Sequence, residues 1–175
     1  SFMKRIFTFV FSISILAFCA YNVNAQVTVT GAHASSNGNY TTLKAAFDTI
    51  NAQSQEDNGI DIQISDNTTE TAAAVLNSGN WEYIHIYPTA SGKSITGSIS
   101  GNGLIVLNGA DKISIDGRVY PDGEDADLTI SNTLNTTTNN TSTIRFINGA
   151  CNNVVKYCYL KGATKSVTSG IVFFH

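Results

Sequence analysis

Tyr83, His85 and Tyr87 occupy alternate positions of one short run, with Trp81 two residues earlier. In an extended chain, residues two apart share a face, so these four side chains would form an aromatic strip. Aromatic rings stack against the apolar faces of sugars, which makes Trp81, Tyr83, His85 and Tyr87 the candidate glycan contacts. The same spacing also describes ordinary exposed strand residues, or residues beneath a second layer. His33 and His175 lie far from His85 along the chain, and three scattered histidines suggest no metal centre.

Carboxylates offer two further chemistries. Asp122-Gly123-Glu124-Asp125-Ala126-Asp127 is the densest acidic cluster, and oxygen ligands crowded this closely can hold Ca²⁺. Asp122, Asp125 and Asp127 are the candidate ligands. The order departs from an EF-hand loop, where Gly follows three alternating ligands, so a solvated surface loop is the preferred reading and no cofactor is expected. Glycoside hydrolysis needs two carboxylates facing one cleft. Asp111 and Asp116 flank a single apolar run, and Asp116 can point outward beside Arg118, yet its place before Gly117 reads better as a turn residue. No serine nucleophile elbow, phosphate loop or dinucleotide fingerprint is present. Cys151 and Cys158 have neither metal-ligand nor redox spacing; they can pair in an oxidising compartment or pack as two small side chains.

Short strands are the elements that would position these residues. Ile60, Ile62 and Ile64 alternate with polar residues, as do Ile84 and Ile86, Ile113 and Ile115, and Leu128 and Ile130. A period of two with one apolar face predicts strands half-buried against a core. One helix is predicted over 42–51, where Leu43, Ala46, Phe47 and Ile50 make a single apolar stripe. Composition agrees. Only 13% of residues are charged while 42% are hydrophobic, and Asn, Thr, Ser and Gly replace the Lys and Glu on which helical surfaces rely.

Leu107-Asn108-Gly109-Ala110 returns forty residues later as Ile147-Asn148-Gly149-Ala150, each copy lying between two apolar runs. Repetition at this distance signals a solenoid. The stretches Gly103 to Gly117 and Thr143 to Gly162 resemble the coils of right-handed parallel β-helix (pectin-lyase-like) proteins. More narrowly, they are similar to the N-terminal part of large surface proteins of Gram-negative bacteria that use type IX secretion. The resemblance implies an all-β fold, a right-handed parallel β-helix with an N-terminal amphipathic capping helix. The alternative is a β-sandwich, whose strands usually recur more closely and with tight hairpins. Under this reading residues 26–59 form a cap that includes the helix, and 60–175 form incomplete coils, because the chain ends in the strand-like run Gly170 to His175. Polygalacturonase signatures and a pectate-lyase Arg/Asp arrangement are missing.

Lys4 and Arg5, the apolar run from Ile6 to Ala20, and Val23-Asn24-Ala25 together make a secretory leader cleaved between Ala25 and Gln26. Ser1 and Phe2 precede Met3 and are set aside as non-native. About 15 apolar residues fall short of the roughly 20 needed to span a bilayer, so no stable membrane span is expected after cleavage. Phe18 before Cys19 disfavours a lipoprotein site. The net charge of −3 becomes more negative once Lys4 and Arg5 leave, and no basic cluster remains to displace the counterions of a nucleic acid. The expectation is therefore a secreted or outer-surface protein of a Gram-negative bacterium. It would serve adhesion or contact with an extracellular polysaccharide or cell-surface glycan, without catalysis in this stretch. The alternative is the leading part of a polysaccharide lyase or glycoside hydrolase whose catalytic coils lie beyond residue 175.

Overall fold

A computed structural model describes residues 25–120, 122–166 and 168–175. The expected leader lies outside the described residues except for Ala25, and Cys19 lies outside them too. In chain order the strands β1 (Val27–Thr30) and β2 (Gly38–Tyr40) precede the helix α1 (Leu43–Asn51). Then come β3 (Gly59–Ile64), β4 (Thr68–Glu70), β5 (Ala74–Asn77), β6 (Tyr83–Pro88), β7 (Lys93–Gly97) and β8 (Gly103–Asn108). The last six are β9 (Ile113–Asp116), β10 (Leu128–Asn132), β11 (Ser142–Ile147), β12 (Val154–Lys156), β13 (Cys158–Gly162) and β14 (Gly170–Phe174).

These strands form three sheets. The first runs β12-β9-β6-β3-β1-β2, the second β13-β10-β7-β4, and the third β14-β11-β8-β5. From β3 onward each pairing is parallel and joins a strand to the third one after it. β1 instead runs antiparallel to both β2 and β3, so the first sheet is mixed.

This corrects the expected fold. The right-handed parallel β-helix with a capping helix would be one uniformly parallel solenoid, whereas the chain builds three separate sheets, one mixed and two parallel, with a single short helix among the described residues. The physical reason is a set of contacts between residues far apart in the sequence. Gln26 accepts from the Ser65 amide and donates to the Tyr40 carbonyl, which folds the leading segment back along β3 against the direction of the other strands. The spacing between stacked residues is also unequal, 24 from Gln63 to Tyr87 but 40 from Asn108 to Asn148. The sandwich alternative fails as well, because within each sheet the strands after β2 pair in parallel with sequence-distant partners.

Columns of like residues make the core. Ile60, Ile84 and Ile113 are in register, as are Ile62, Ile86 and Ile115, and all six are buried. Burying a side chain of this size stabilises the fold by roughly 1.5–3 kcal/mol. α1 lays its buried stripe of Leu43, Ala46, Phe47 and Ile50 against this interior. Thr42 caps the helix by accepting from the Ala45 amide at 3.1 Å. The buried carboxylate of Glu70 accepts from the Leu43 and Lys44 amides at 2.9 and 3.0 Å, which satisfies two otherwise orphaned donors at the positive end of the helix. A polar ladder runs up the corner after β5, β8 and β11. Asn108 Nδ2 donates to Asn77 Oδ1 at 2.8 Å, and Asn148 Nδ2 donates to Asn108 Oδ1 at 2.5 Å. The sequence repeat is therefore a stacked corner.

Candidate functional site: a charged and aromatic recess on the first sheet

Alternation along β3, β6 and β9 sends isoleucines inward, β12 adds Val155 to them, and a different set of residues faces outward. The outward residues fall into rows because the strands are in register. Asp61 pairs with His85, His85 with Ser114, and Ser114 with Val154. One step along, Gln63 pairs with Tyr87 and Asp116 with Lys156. Asp61, Tyr83, His85, Ser114, Asp116 and Lys156, together with the overhanging Arg118 and Tyr120, line an open recess of about 390 Å³.

Its ionic half centres on Asp116, which is only 4% exposed. The Arg118 guanidinium donates to both carboxylate oxygens, at 3.0 and 2.6 Å, and the Arg118 amide adds a third bond at 3.2 Å. Lys156 Nζ stands 3.1 Å away. Burial by itself would raise the Asp116 pKa, but the hydrogen bonds from Arg118 and the Lys156 charge outweigh it and hold the carboxyl at about 2. Asp116 is thus a permanent anion with two cationic partners, and the turn-residue reading understates its role. Arg118 also lies over the Tyr157 ring, 4.4 Å from its centroid, a cation–π contact that fixes the guanidinium plane.

The aromatic half is a cluster. His85 lies 4.7 Å from Tyr87 and 5.1 Å from Tyr120 between ring centroids, and Tyr87 and Tyr120 lie 4.8 Å apart. Gln63 Nε2 donates to the Tyr87 hydroxyl at 3.1 Å. Burial lowers the His85 pKa below its usual value despite Asp61, whose Oδ1 is 3.9 Å from His85 Nδ1, so the ring is neutral at pH 7.

Two glycines allow this packing. A Cβ on Gly59 would sit 2.2 Å from the Tyr83 ring, and one on Gly117 would sit 1.8 Å from the Tyr157 carbonyl oxygen.

The four residues of the expected aromatic strip are divided. Tyr83 is exposed and His85 partly so, while Tyr87 is 5% exposed with its ring in the cluster. Trp81 is 4% exposed, packs in the core and donates from Nε1 to the Asp111 carbonyl at 2.8 Å; it does not join the recess. Tyr120, Asp61, Ser114, Arg118 and Lys156 complete the recess from residues that sequence spacing did not connect as a site. The pairing offsets that bring them together carry no local pattern, and only the closeness of Asp116 to Arg118 is visible in the sequence.

Asp122 and Asp125 are exposed, and Asp127 accepts from the Ser91 hydroxyl. Among the described residues no three His, Cys, Asp or Glu side chains gather as a metal site, and no helix is long and apolar enough to cross a membrane. Cys151 and Cys158 are both free thiols, and burial pushes the Cys158 pKa up to about 12. Asp111 accepts from the Cys151 amide at 2.6 Å, so it ties a corner together at a distance from Asp116. At the proposed cleavage point, the Ala25 carbonyl accepts from the Ser65 hydroxyl at 3.1 Å.

No family model, curated protein or solved structure matches this chain. The functional reading therefore rests on the recess itself.

Proposed function

We propose that this is an exported protein that contacts an extracellular polysaccharide or cell-surface glycan through the recess on its first sheet. The observation that carries the reading is the pairing of an aromatic cluster with a fixed ionic cluster on one solvent-facing surface. The Tyr83, Tyr120 and His85 rings, with the buried Tyr87 ring behind the last two, offer a platform for the apolar face of a sugar ring, while Arg118, Lys156, Asp61 and Ser114 offer donors and acceptors for its hydroxyls. Sites for small polar ligands combine apolar walls with a few convergent polar groups in this way. Export and placement on the outer surface of a Gram-negative cell rest on the leader sequence and on the resemblance to secreted surface proteins.

A glycan array probed with the full chain tests the reading. The expected result is selective binding that Arg118→Ala weakens about tenfold, equivalent to about 1.4 kcal/mol. Absence of binding to every glycan class, by a chain shown to be folded, would contradict it.

A further inference from the structure

The row Asp61–His85–Ser114 is a carboxylate, an imidazole and a hydroxyl on three successive strands of one parallel sheet, all lining the same recess. Neighbouring strands stand about 4.7–4.9 Å apart, so each side chain is next to the one it would have to reach. We infer that this row is a nucleophilic site that hydrolyses O-acyl esters, with Ser114 as nucleophile, His85 as general base and Asp61 as its positioning residue. The inference rests on the glycan reading only for its substrate, a small acyl group on a sugar hydroxyl.

The geometry suits these roles. His85 has Nδ1 3.9 Å from Asp61 Oδ1 and stands opposite Ser114 in the register of the next strand. Catalytic hydrogen bonds are often long before substrate binds. The ring is neutral at pH 7 because burial disfavours its charged form, as a general base requires. Arg118 and Lys156 border the recess and, although both are paired with Asp116, keep further N–H donors for the oxyanion that forms at the carbonyl. Unrelated folds reach this constellation in any chain order, so it is recognised by geometry and role and needs no sequence motif.

The reaction balances with water as the only co-reactant. Ser114 Oγ bonds to the ester carbonyl carbon as its proton passes to His85. The tetrahedral intermediate collapses, the ester C–O bond breaks, and the sugar oxygen leaves with the proton from His85. Water then attacks the acyl-serine, His85 takes its proton, and the carboxylic acid departs as Ser114 regains a proton. Asp61 holds the ring and stabilises the transient imidazolium.

The test is release of acetate from an O-acetylated polysaccharide and of nitrophenol from p-nitrophenyl acetate, combined with a fluorophosphonate probe located by mass spectrometry. The expected result is labelling at Ser114, at least a hundredfold loss of turnover in Ser114→Ala, and a comparable loss in His85→Gln. In Asp61→Asn the rate falls, and the acid limb of the pH profile moves to lower pH, because the charge that favours protonated His85 is gone; a merely structural role would leave that limb in place. Unchanged turnover in Ser114→Ala, or no turnover and no label on folded protein, overturns the inference. Glycan binding measured on the parent chain separates the two readings. Retained binding without hydrolysis in the parent chain leaves glycan contact standing, whereas hydrolysis of the simple ester without glycan binding removes only the proposed sugar substrate.

Discussion

The two faces of the first sheet come from the same strands but obey different rules. Inward, Ile60, Ile62, Ile84, Ile86, Ile113 and Ile115 repeat one side chain six times, and all are buried. Outward, Asp61, Gln63, His85, Tyr87, Ser114 and Asp116 are of five different types, and all but Ser114 have side-chain partners of their own. The inner face is redundant chemistry held by packing. The outer face is singular chemistry held by register, because a slip of one residue in any strand would send its side chains to the other side. Stability should therefore depend chiefly on the inner face and ligand contact on the outer one.

Substitutions can break that contrast. The largest expected effect on stability is Ile86→Ala, which empties the centre of an isoleucine column and should cost about 2–5 kcal/mol by chemical denaturation. Gly117→Ala comes next and joins the two faces. Its Cβ would press on the Tyr157 carbonyl, so a cost of about 1–3 kcal/mol should accompany disturbance of the neighbouring Asp116 and Arg118. A loss of stability from Ile86→Ala no larger than from an exposed substitution would break the distinction.

A smaller effect follows from Asp116, and pH sharpens it. Its folded pKa of about 2 lies below the ordinary value of 3.8. The carboxylate therefore contributes stability that is present in full above about pH 4 and is lost as pH falls toward 2, on the order of 2 kcal/mol. His85 works in a higher window. Its pKa is lowered by burial, so the unfolded chain binds the extra proton first and stability falls as pH drops below about 6.5. Thermal unfolding across pH 2–7 should show both declines, and Asp116→Asn should flatten the lower one. Since Arg118 and Lys156 are partly exposed, that variant should cost only about 1–2 kcal/mol at neutral pH.

The inner face was legible in the sequence, and the outer one was not. Period-two alternation marks Ile60, Ile62 and Ile64 as inward without reference to any other strand, and the helical stripe of Leu43, Ala46, Phe47 and Ile50 is equally local. The direction of β1 is set by contacts between Gln26 and the distant Tyr40 and Ser65, which no local period encodes. For that reason the expected uniform parallel solenoid needed correction. Spacing also grouped Trp81 with Tyr83, His85 and Tyr87, yet Trp81 turns into the core to meet the Asp111 carbonyl. Tyr120 reaches the same cluster from a loop more than thirty residues away. The row of Asp61, His85 and Ser114 exists only through pairing between strands, so residue types alone could not reveal it.

On the proposed reading, the outward recess contacts glycan and the other exposed aromatic residues do not. The most direct measurement is the affinity of the full chain for the best ligand from an array, compared between Tyr120→Ala and Tyr159→Ala. Both rings are more than half exposed, at 53% and 57%, but Tyr159 is not among the recess residues. About a tenfold loss, equivalent to about 1.4 kcal/mol, is expected for Tyr120→Ala and unchanged affinity for Tyr159→Ala; equal affinities in the two variants, or a loss confined to Tyr159→Ala, would contradict glycan contact at the recess.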